Sequence, residues 1–174
     1  ELGFSHIQNH PGYTLKIQTL GNFKVWLGQK EVGAKAWQRA KAKELLEFFV
    51  TKRNKQLVKD EIFAALWPSV PDRTVTRDFK VALNALNNAL EPVRKARTEP
   101  FFIQREGNTY GLNPNCGYVL DCSEFESYAS AGLEEQEPVR AISYLEKALA
   151  LYKGDFLPDQ KYADWCLNER ERLL

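Results

Sequence analysis

The chain has 174 residues, 44% hydrophobic and 27% charged, a composition that fits folded globular protein and excludes wholesale disorder. No apolar run approaches the roughly 20 residues of a membrane-spanning helix, and no signal-peptide pattern opens the sequence. The net charge of +1 conceals an asymmetry: residues 1–114 hold 18 Lys+Arg and 11 Asp+Glu, net +7, whereas residues 115–174 hold 6 and 12, net −6. A basic part joined to an acidic part predicts two modules with different partners, the first partner being polyanionic.

Residues 1–13 read as a linker, in which His6 and His10 are expected to be solvated. Segments 15–19 (LKIQT) and 23–27 (FKVWL) alternate apolar and polar residues about Gly21-Asn22, a hairpin signal. A turn at Gly28-Gln29-Lys30 leads to a short third strand near 31–32, and Trp37 is expected to close this antiparallel sheet. Residues 39–52 (RAKAKELLEFFVTK) read as a helix with Ala42, Leu45, Leu46, Phe49 and Val50 inward. Its first turn carries Arg39, Lys41 and Lys43, against a helix dipole that prefers anions there. An external phosphate would relieve that conflict. Residues 59–67 form a second, short helix that Pro68 ends. The turn 69–73 then leads, with Asp72 or Thr74 as N-cap, into a helix over 74–90.

That third helix (TVTRDFKVALNALNNAL) has two contrasting faces. At about 100° per residue, Val75, Phe79, Leu83, Leu86 and Leu90 fall within an arc of roughly 80° and predict a core stripe. Opposite them lie Arg77, Lys80, Val81, Asn84 and Asn88, two cations, two amides and an aliphatic without a carboxylate. These are the groups that read base edges in a major groove: Arg or Lys to guanine, Asn to adenine, an aliphatic to a thymine methyl. A short helix, a turn and a helix with such a face make a helix-turn-helix.

Beyond Pro92 come the basic run Arg94-Lys95-Ala96-Arg97 and two extended stretches, 101–105 (FFIQR) and 109–112 (TYGL), joined at Glu106-Gly107-Asn108. A hairpin directly after a recognition helix is a wing. The best domain boundary is 114–117 (PNCG). A helix follows over 123–131, with Ser123 as N-cap and Glu126 at capping-box spacing. Ala141, Leu145, Ala148, Leu149 and Tyr152 form an apolar stripe at helical spacing, Gly154-Asp155 and Leu157-Pro158 break it, and 163–174 begins another helix. Paired helices of this kind suit a protein-interaction scaffold.

The three cysteines, Cys116, Cys122 and Cys166, include no CxxC pair and read as reduced thiols of a cytosolic protein, without a disulfide framework or zinc site. With the only histidines in the linker, no general base or metal ligand of that type remains, and neither GxxxxGK[ST] nor GxGxxG is present. Trp26, Trp37, Trp67 and Trp165 fit apolar patterns and are expected in the core. No enzyme, cofactor or metal is expected.

Taken in order, LGNFKVWLGQKEV, WQRAKAKELLEFFV, IFAALWP, FKVALNALNNALEP and EGNTYGL resemble the winged-helix DNA-binding domain of the OmpR/PhoB type. More specifically they are similar to the version found in SARP-type activators. The resemblance continues through VLDCSEFE and ALALYKGDFLPD to WCLNERERL and covers about residues 14–174. It implies an α+β fold: a winged helix-turn-helix over 14–113, with an N-terminal antiparallel sheet and a C-terminal hairpin wing. A small all-α, tetratricopeptide-like start of a bacterial transcriptional activator domain would follow over 114–174. It implies a sequence-specific double-stranded DNA-binding regulator, an activator in a bacterial cytoplasm with no membrane partner. RNA polymerase and a second copy on repeated half-sites are the further candidate partners. The recognition helix would lie in the major groove, with Arg77, Lys80, Val81, Asn84 and Asn88 reading bases. Arg39, Lys41, Lys43, Arg73, Thr74, Thr76 and Arg105 would hold phosphates. Asn84 and Asn87 stand where that family often carries Arg, which implies a different base preference. The competing reading is a winged-helix and helical-repeat interaction module that binds protein without binding DNA.

Overall fold

Alternation in the first two segments produces β1 (Leu15–Gln18) and β2 (Lys24–Leu27), paired antiparallel with Leu15 opposite Leu27 and Ile17 opposite Val25. Leu15 and Ile17 are fully buried while Lys16 faces out, the period of two that a half-buried strand requires. Gly21 turns the hairpin at φ +91°, a conformation that costs glycine little. The third strand, β3 (Lys30–Glu31), is two residues long and pairs with β2. In the computed structural model, which describes residues 6–174, the chain forms two compact units. Of the described residues, one comprises 6–13 and 32–117, the other 14–31 and 118–174.

The first unit holds three helices and a small sheet. A one-turn 3-10 helix, Ala34–Trp37, packs beside α3 and buries Trp37. Trp37 therefore belongs to this unit, not to the unit containing the strands it was expected to close. Helices α1 (Ala40–Thr51) and α2 (Lys59–Leu66) are followed by α3 (Asp72–Leu90). Pro71, at φ −60° and ψ 143°, is the N-cap of α3, ahead of the expected Asp72 or Thr74. Proline has no N–H to lose and its fixed φ suits a helix entry. Asp72 then places its carboxylate in the first turn, where the helix dipole favours it. Strands β5 (Ile103–Glu106) and β6 (Thr109–Leu112) form the hairpin, turned at Gly107 with φ +59°. A two-residue strand, β4 (Leu57–Val58), adds to β6 and gives the order β4-β6-β5.

The core of this unit is aromatic and aliphatic. Phe79 is fully buried and meets Tyr110 edge-on at 5.0 Å, Phe63 at 5.5 Å and Trp67 at 6.2 Å between ring centroids, the favoured T-shaped geometry. Leu45, Leu46, Phe49, Leu86 and Leu90 complete it. Glu91, only 5% exposed, accepts the Phe101 N–H at 2.9 Å and fixes the path from α3 into the hairpin.

Residues 6–13 are not the free linker that the composition suggests. Gln8 bridges to Cys116, its N–H donating to the Asn115 carbonyl at 2.7 Å. His10 packs its ring against Tyr13 at 4.3 Å and stacks on Phe102 at 5.2 Å, so it lies half-buried in an aromatic cluster, contrary to the expectation that it is solvated. Polar composition hid this contact because the partners, Phe101 and Phe102, lie about 90 residues away.

The second unit is built on one sheet, β3-β2-β1-β7, whose last strand β7 (Tyr118–Leu120) runs parallel to β1. Helices α4 (Asp121–Glu134), α5 (Pro138–Leu151) and α6 (Asp164–Arg172) follow. The expected division at 113/114 does not coincide with the compact units, because residues 14–31 pair with β7 and so group with the C-terminal helices. Helix α4 begins at Asp121 with Leu120 as its N-cap residue, three residues ahead of the expected Ser123, and the Asp121 carboxylate accepts the Cys122 N–H at 2.8 Å. Glu137 caps α5, accepting from the Val139 and Arg140 amides at 3.1 and 2.9 Å. Helices α4 and α5 form an antiparallel-type pair in sequence, joined by a short turn, and meet where Gly132 leaves no side chain in the way of Leu145. Ala148 is buried there, but Leu149, expected in the same stripe, is 70% exposed. All three cysteines are buried thiols.

Candidate nucleic-acid interface

The outward face of α3 carries the side chains that the sequence singled out. Arg73, Arg77, Lys80, Val81, Asn84 and Asn88 are all exposed, and Val81 at 37% is open enough to touch an apolar group. They can stand in solvent because Val75, Phe79, Ala82, Ala85, Leu86, Ala89 and Leu90 bury the other face. Leu83, expected in the core stripe, is half-buried, and Asn87, outside that stripe, is only 7% exposed. The outward face is also not free of carboxylate, since Arg77 pairs with Asp78 at 3.5 Å.

Arg73, Thr76, Arg77, Lys80, Val81 and Asn84 line one shallow concavity along the helix. The Thr74 hydroxyl donates to the Pro71 carbonyl at 3.1 Å and so secures the helix entry. A second concavity joins Arg39 and Lys41, at the start of α1, to Arg77 and Val81 on α3. Arg39 is exposed and is the N-cap residue of α1, whose first turn has no acidic side chain.

The other two α1 cations have protein partners. Lys41 donates to the Leu66 carbonyl at 2.5 Å, pairs with Glu44 at 2.7 Å and sits 5.3 Å from the Trp67 ring centroid. Lys43 lies 3.6 Å from the carboxylate of Glu47, which is 1% exposed. Glu44 and Glu47, one turn further on, thus supply the negative charge that the first turn lacks.

On the hairpin, Arg105 is exposed, donates to the Gly107 carbonyl at 3.3 Å and holds its guanidinium 5.6 Å from the Tyr110 ring. The approach is that of a cation–π contact.

With this geometry in view, the comparison with known families is specific to the other end of the chain. Residues 120–174 match the bacterial transcriptional activator domain. The matched segment spans α4, α5 and α6 and begins one residue before Asp121. The fold as a whole is similar to Mycobacterium tuberculosis EmbR, solved in complex with a low-affinity phosphopeptide, with a TM-score of 0.73 at 20% identity over 91% of this chain. The chain spans 41% of that chain's length, and at this identity the likeness is one of fold. No curated protein matches the sequence. Among the described residues no helix is long and apolar enough to cross a membrane.

Sequence reasoning missed a second group of residues near α3. Lys59, Asn87, Arg94, Gln104 and Tyr110 join Lys80, Asn84 and Arg105 around a cleft between α3 and the β5–β6 hairpin. Asn87 was legible as an amide at the edge of the apolar stripe. The contribution of Lys59 and Tyr110 depends on β4 pairing with β6, and a two-residue strand has no readable period.

Proposed function

We propose that this chain is a sequence-specific double-stranded DNA-binding regulator of transcription, an activator with a winged-helix DNA-binding part and a tetratricopeptide-like helical part. The observation that carries the reading is the exposed row Arg77, Lys80, Val81, Asn84 and Asn88 on a helix whose opposite face is core. The match of residues 120–174 to a transcriptional activator domain supports the regulatory half. In this reading α3 enters the major groove, where bidentate amides and cations discriminate bases. Arg39, Arg73, Thr76 and Arg105 contact phosphates on either side and set the register without reading sequence. Lys41, Lys43 and Thr74 are the less available phosphate ligands, since each already holds a protein group.

The test has two parts. Binding to random duplex should weaken with salt at a log–log slope of about −0.9 per phosphate neutralised. On the preferred site, selected from a randomised pool, Asn84→Ala should cost roughly 1–3 kcal/mol and relax discrimination at one base pair. A protein that binds no duplex at low salt, or a variant that loses equally on selected and random DNA, would contradict the base-reading role.

A further inference from the structure

The end of α3 and the base of the β5–β6 hairpin are tied together twice. The first tie is internal to that corner. The Glu91 carboxylate accepts the Phe101 N–H at 2.9 Å, and Asn113, just past β6, donates from Nδ2 to the Phe101 carbonyl at 2.9 Å. The second tie is residues 7–13, which reach three segments in turn. Gln8 forms a parallel bridge with Cys116: its N–H donates to the Asn115 carbonyl at 2.7 Å, and its carbonyl accepts the Gly117 N–H at 2.8 Å. The approach is close, since a Cβ on Gly117 would lie 2.3 Å from Asn9 Oδ1. His10 stacks on the fully buried Phe102 at 5.2 Å between ring centroids and meets Phe101 edge-on at 5.3 Å. Tyr13 lies 4.3 Å from the His10 ring, and its hydroxyl donates to the Leu90 carbonyl. Leu90 is the last residue of α3, so that carbonyl is one of those a helix end leaves without an intrahelical donor.

The hydrogen bonds of α3 and of the β5–β6 ladder close without residues 7–13. What these residues add is a link between the two elements, and the DNA-binding reading needs both at once. Arg77, Lys80 and Asn84 stand on α3 and Arg105 on the hairpin, so a change of angle between them would take one set off the duplex while the other stays on it. We infer that residues 7–13 are a positioning clasp, in which Gln8, His10 and Tyr13 hold the end of α3 to the base of the hairpin so that both meet one duplex together. The consequence for DNA rests on the DNA-binding reading above. The clasp itself does not.

The experiment uses the whole chain and three variants: Tyr13→Phe, which removes only a hydroxyl, His10→Ala, and His10→Phe, which keeps a ring on Phe102. In Tyr13→Phe and His10→Ala, hydrogen exchange of the free protein should be about tenfold faster at residues 86–91 and 101–105, with α1 unchanged. His10→Phe should stay near the wild type. Iodoacetamide should alkylate Cys116, which is 6% exposed and bridges to Gln8, faster in His10→Ala, while the fully buried Cys122 and Cys166 stay protected. Duplex affinity should fall about threefold to tenfold in Tyr13→Phe and His10→Ala, on selected and random sequences alike. The salt slope should not change, because no lysine or arginine is lost. A general weakening of the fold gives a different pattern: it speeds exchange in α1 as well and leaves the affinity of the folded molecules unaltered. Unchanged exchange and unchanged Cys116 labelling in both variants would overturn the clasp. Faster exchange with unchanged duplex affinity would overturn the positioning role. If the wild-type chain binds no duplex at all, the DNA reading fails and the positioning role with it, and the exchange result still decides whether residues 7–13 hold the corner.

Discussion

Asp121 and Thr19, 102 residues apart in sequence, are joined by three hydrogen bonds: the Thr19 N–H donates to both carboxylate oxygens at 2.7 and 2.8 Å, and its hydroxyl donates at 2.7 Å. The same carboxylate accepts the Leu20 N–H at 2.8 Å and the N–H of Cys122. It is 6% exposed, and Thr19 is fully buried. A carboxylate thus satisfies the backbone N–H groups where β1 ends and α4 begins, while the Thr19 carbonyl accepts the Leu157 N–H at 2.9 Å.

Replacing Asp121 should expose how much this costs. Asp121→Ala strands at least two buried amides and should destabilise by roughly 2–4 kcal/mol, since each unsatisfied buried donor costs about 1–3. Asp121→Asn keeps acceptor capacity on one oxygen and should lose less. Urea midpoints measure both, and equal stability of all three proteins would show that water replaces the carboxylate without penalty.

A chain ending at Gly117 should keep α1 to α3 protected while its first hairpin loosens. Without β7, Leu15 and Ile17 lose their parallel neighbours Tyr118 and Leu120, and Thr19 loses Asp121. Hydrogen exchange should show residues 15–27 unprotected in the short chain and protected in the whole one. Full protection in both would mean that the hairpin is stable by itself.

Gly132 sets the spacing of α4 and α5. A Cβ there would come within 2.7 Å of Leu145 Cγ and 2.8 Å of its Cδ2, with the Ala141 carbonyl at 3.2 Å. Gly132→Ala should therefore cost about 1–3 kcal/mol by overpacking, despite alanine's better helix propensity. Pairing it with Leu145→Ala should recover part of the loss, and a gain in stability from Gly132→Ala alone would contradict the close approach.

Lys41 and Arg73 should separate in DNA binding. Arg73→Ala removes an exposed cation with no structural partner bond in view and should make the salt slope shallower by about one unit. Lys41→Ala removes contacts to Leu66, Glu44 and Trp67, so thermal stability should fall more than the slope changes. A full unit of slope lost with unchanged stability would return Lys41 to the phosphate set.

Alkaline pH should weaken the first unit. Burial, with a smaller push from Glu91, raises Tyr13 from 10.0 to about 12, and its hydroxyl donates to the Leu90 carbonyl. Burial raises Cys116 from 9.0 to about 11, against a lowering backbone hydrogen bond and with a further push from Glu91. Both groups are held in their neutral form, so their stabilisation is complete below about pH 9 and is lost as pH climbs through 11 and 12. Urea midpoints across that range should fall, and Tyr13→Phe should remove the part of the fall above pH 10. A flat profile to pH 12 would show that neither group is linked to folding.

Much of this was readable in the residues, and the failures have physical causes. The period of two around Gly21 located β1 and β2, and the period of 3.6 located α1, α2 and α3 to within two residues. Local periodicity reports which face is buried, not what buries it. It therefore could not assign β1 to β7, His10 to Phe102 or Asp121 to Thr19, each of which joins distant segments. Charge counting has the same blindness: Lys41 and Lys43 look like free cations until Glu44 and Glu47 appear one turn away.

The parallel pairing of β1 with β7 also imposes an order on biosynthesis. A strand near residue 15 cannot find its neighbour near residue 118 until some hundred further residues have left the ribosome, and closing so long a loop is entropically costly and slow. Folding of the intervening 32–117 shortens the loop that remains to be closed, so the inserted unit is expected to form first. Of the two paired strands, the earlier one is then completed late.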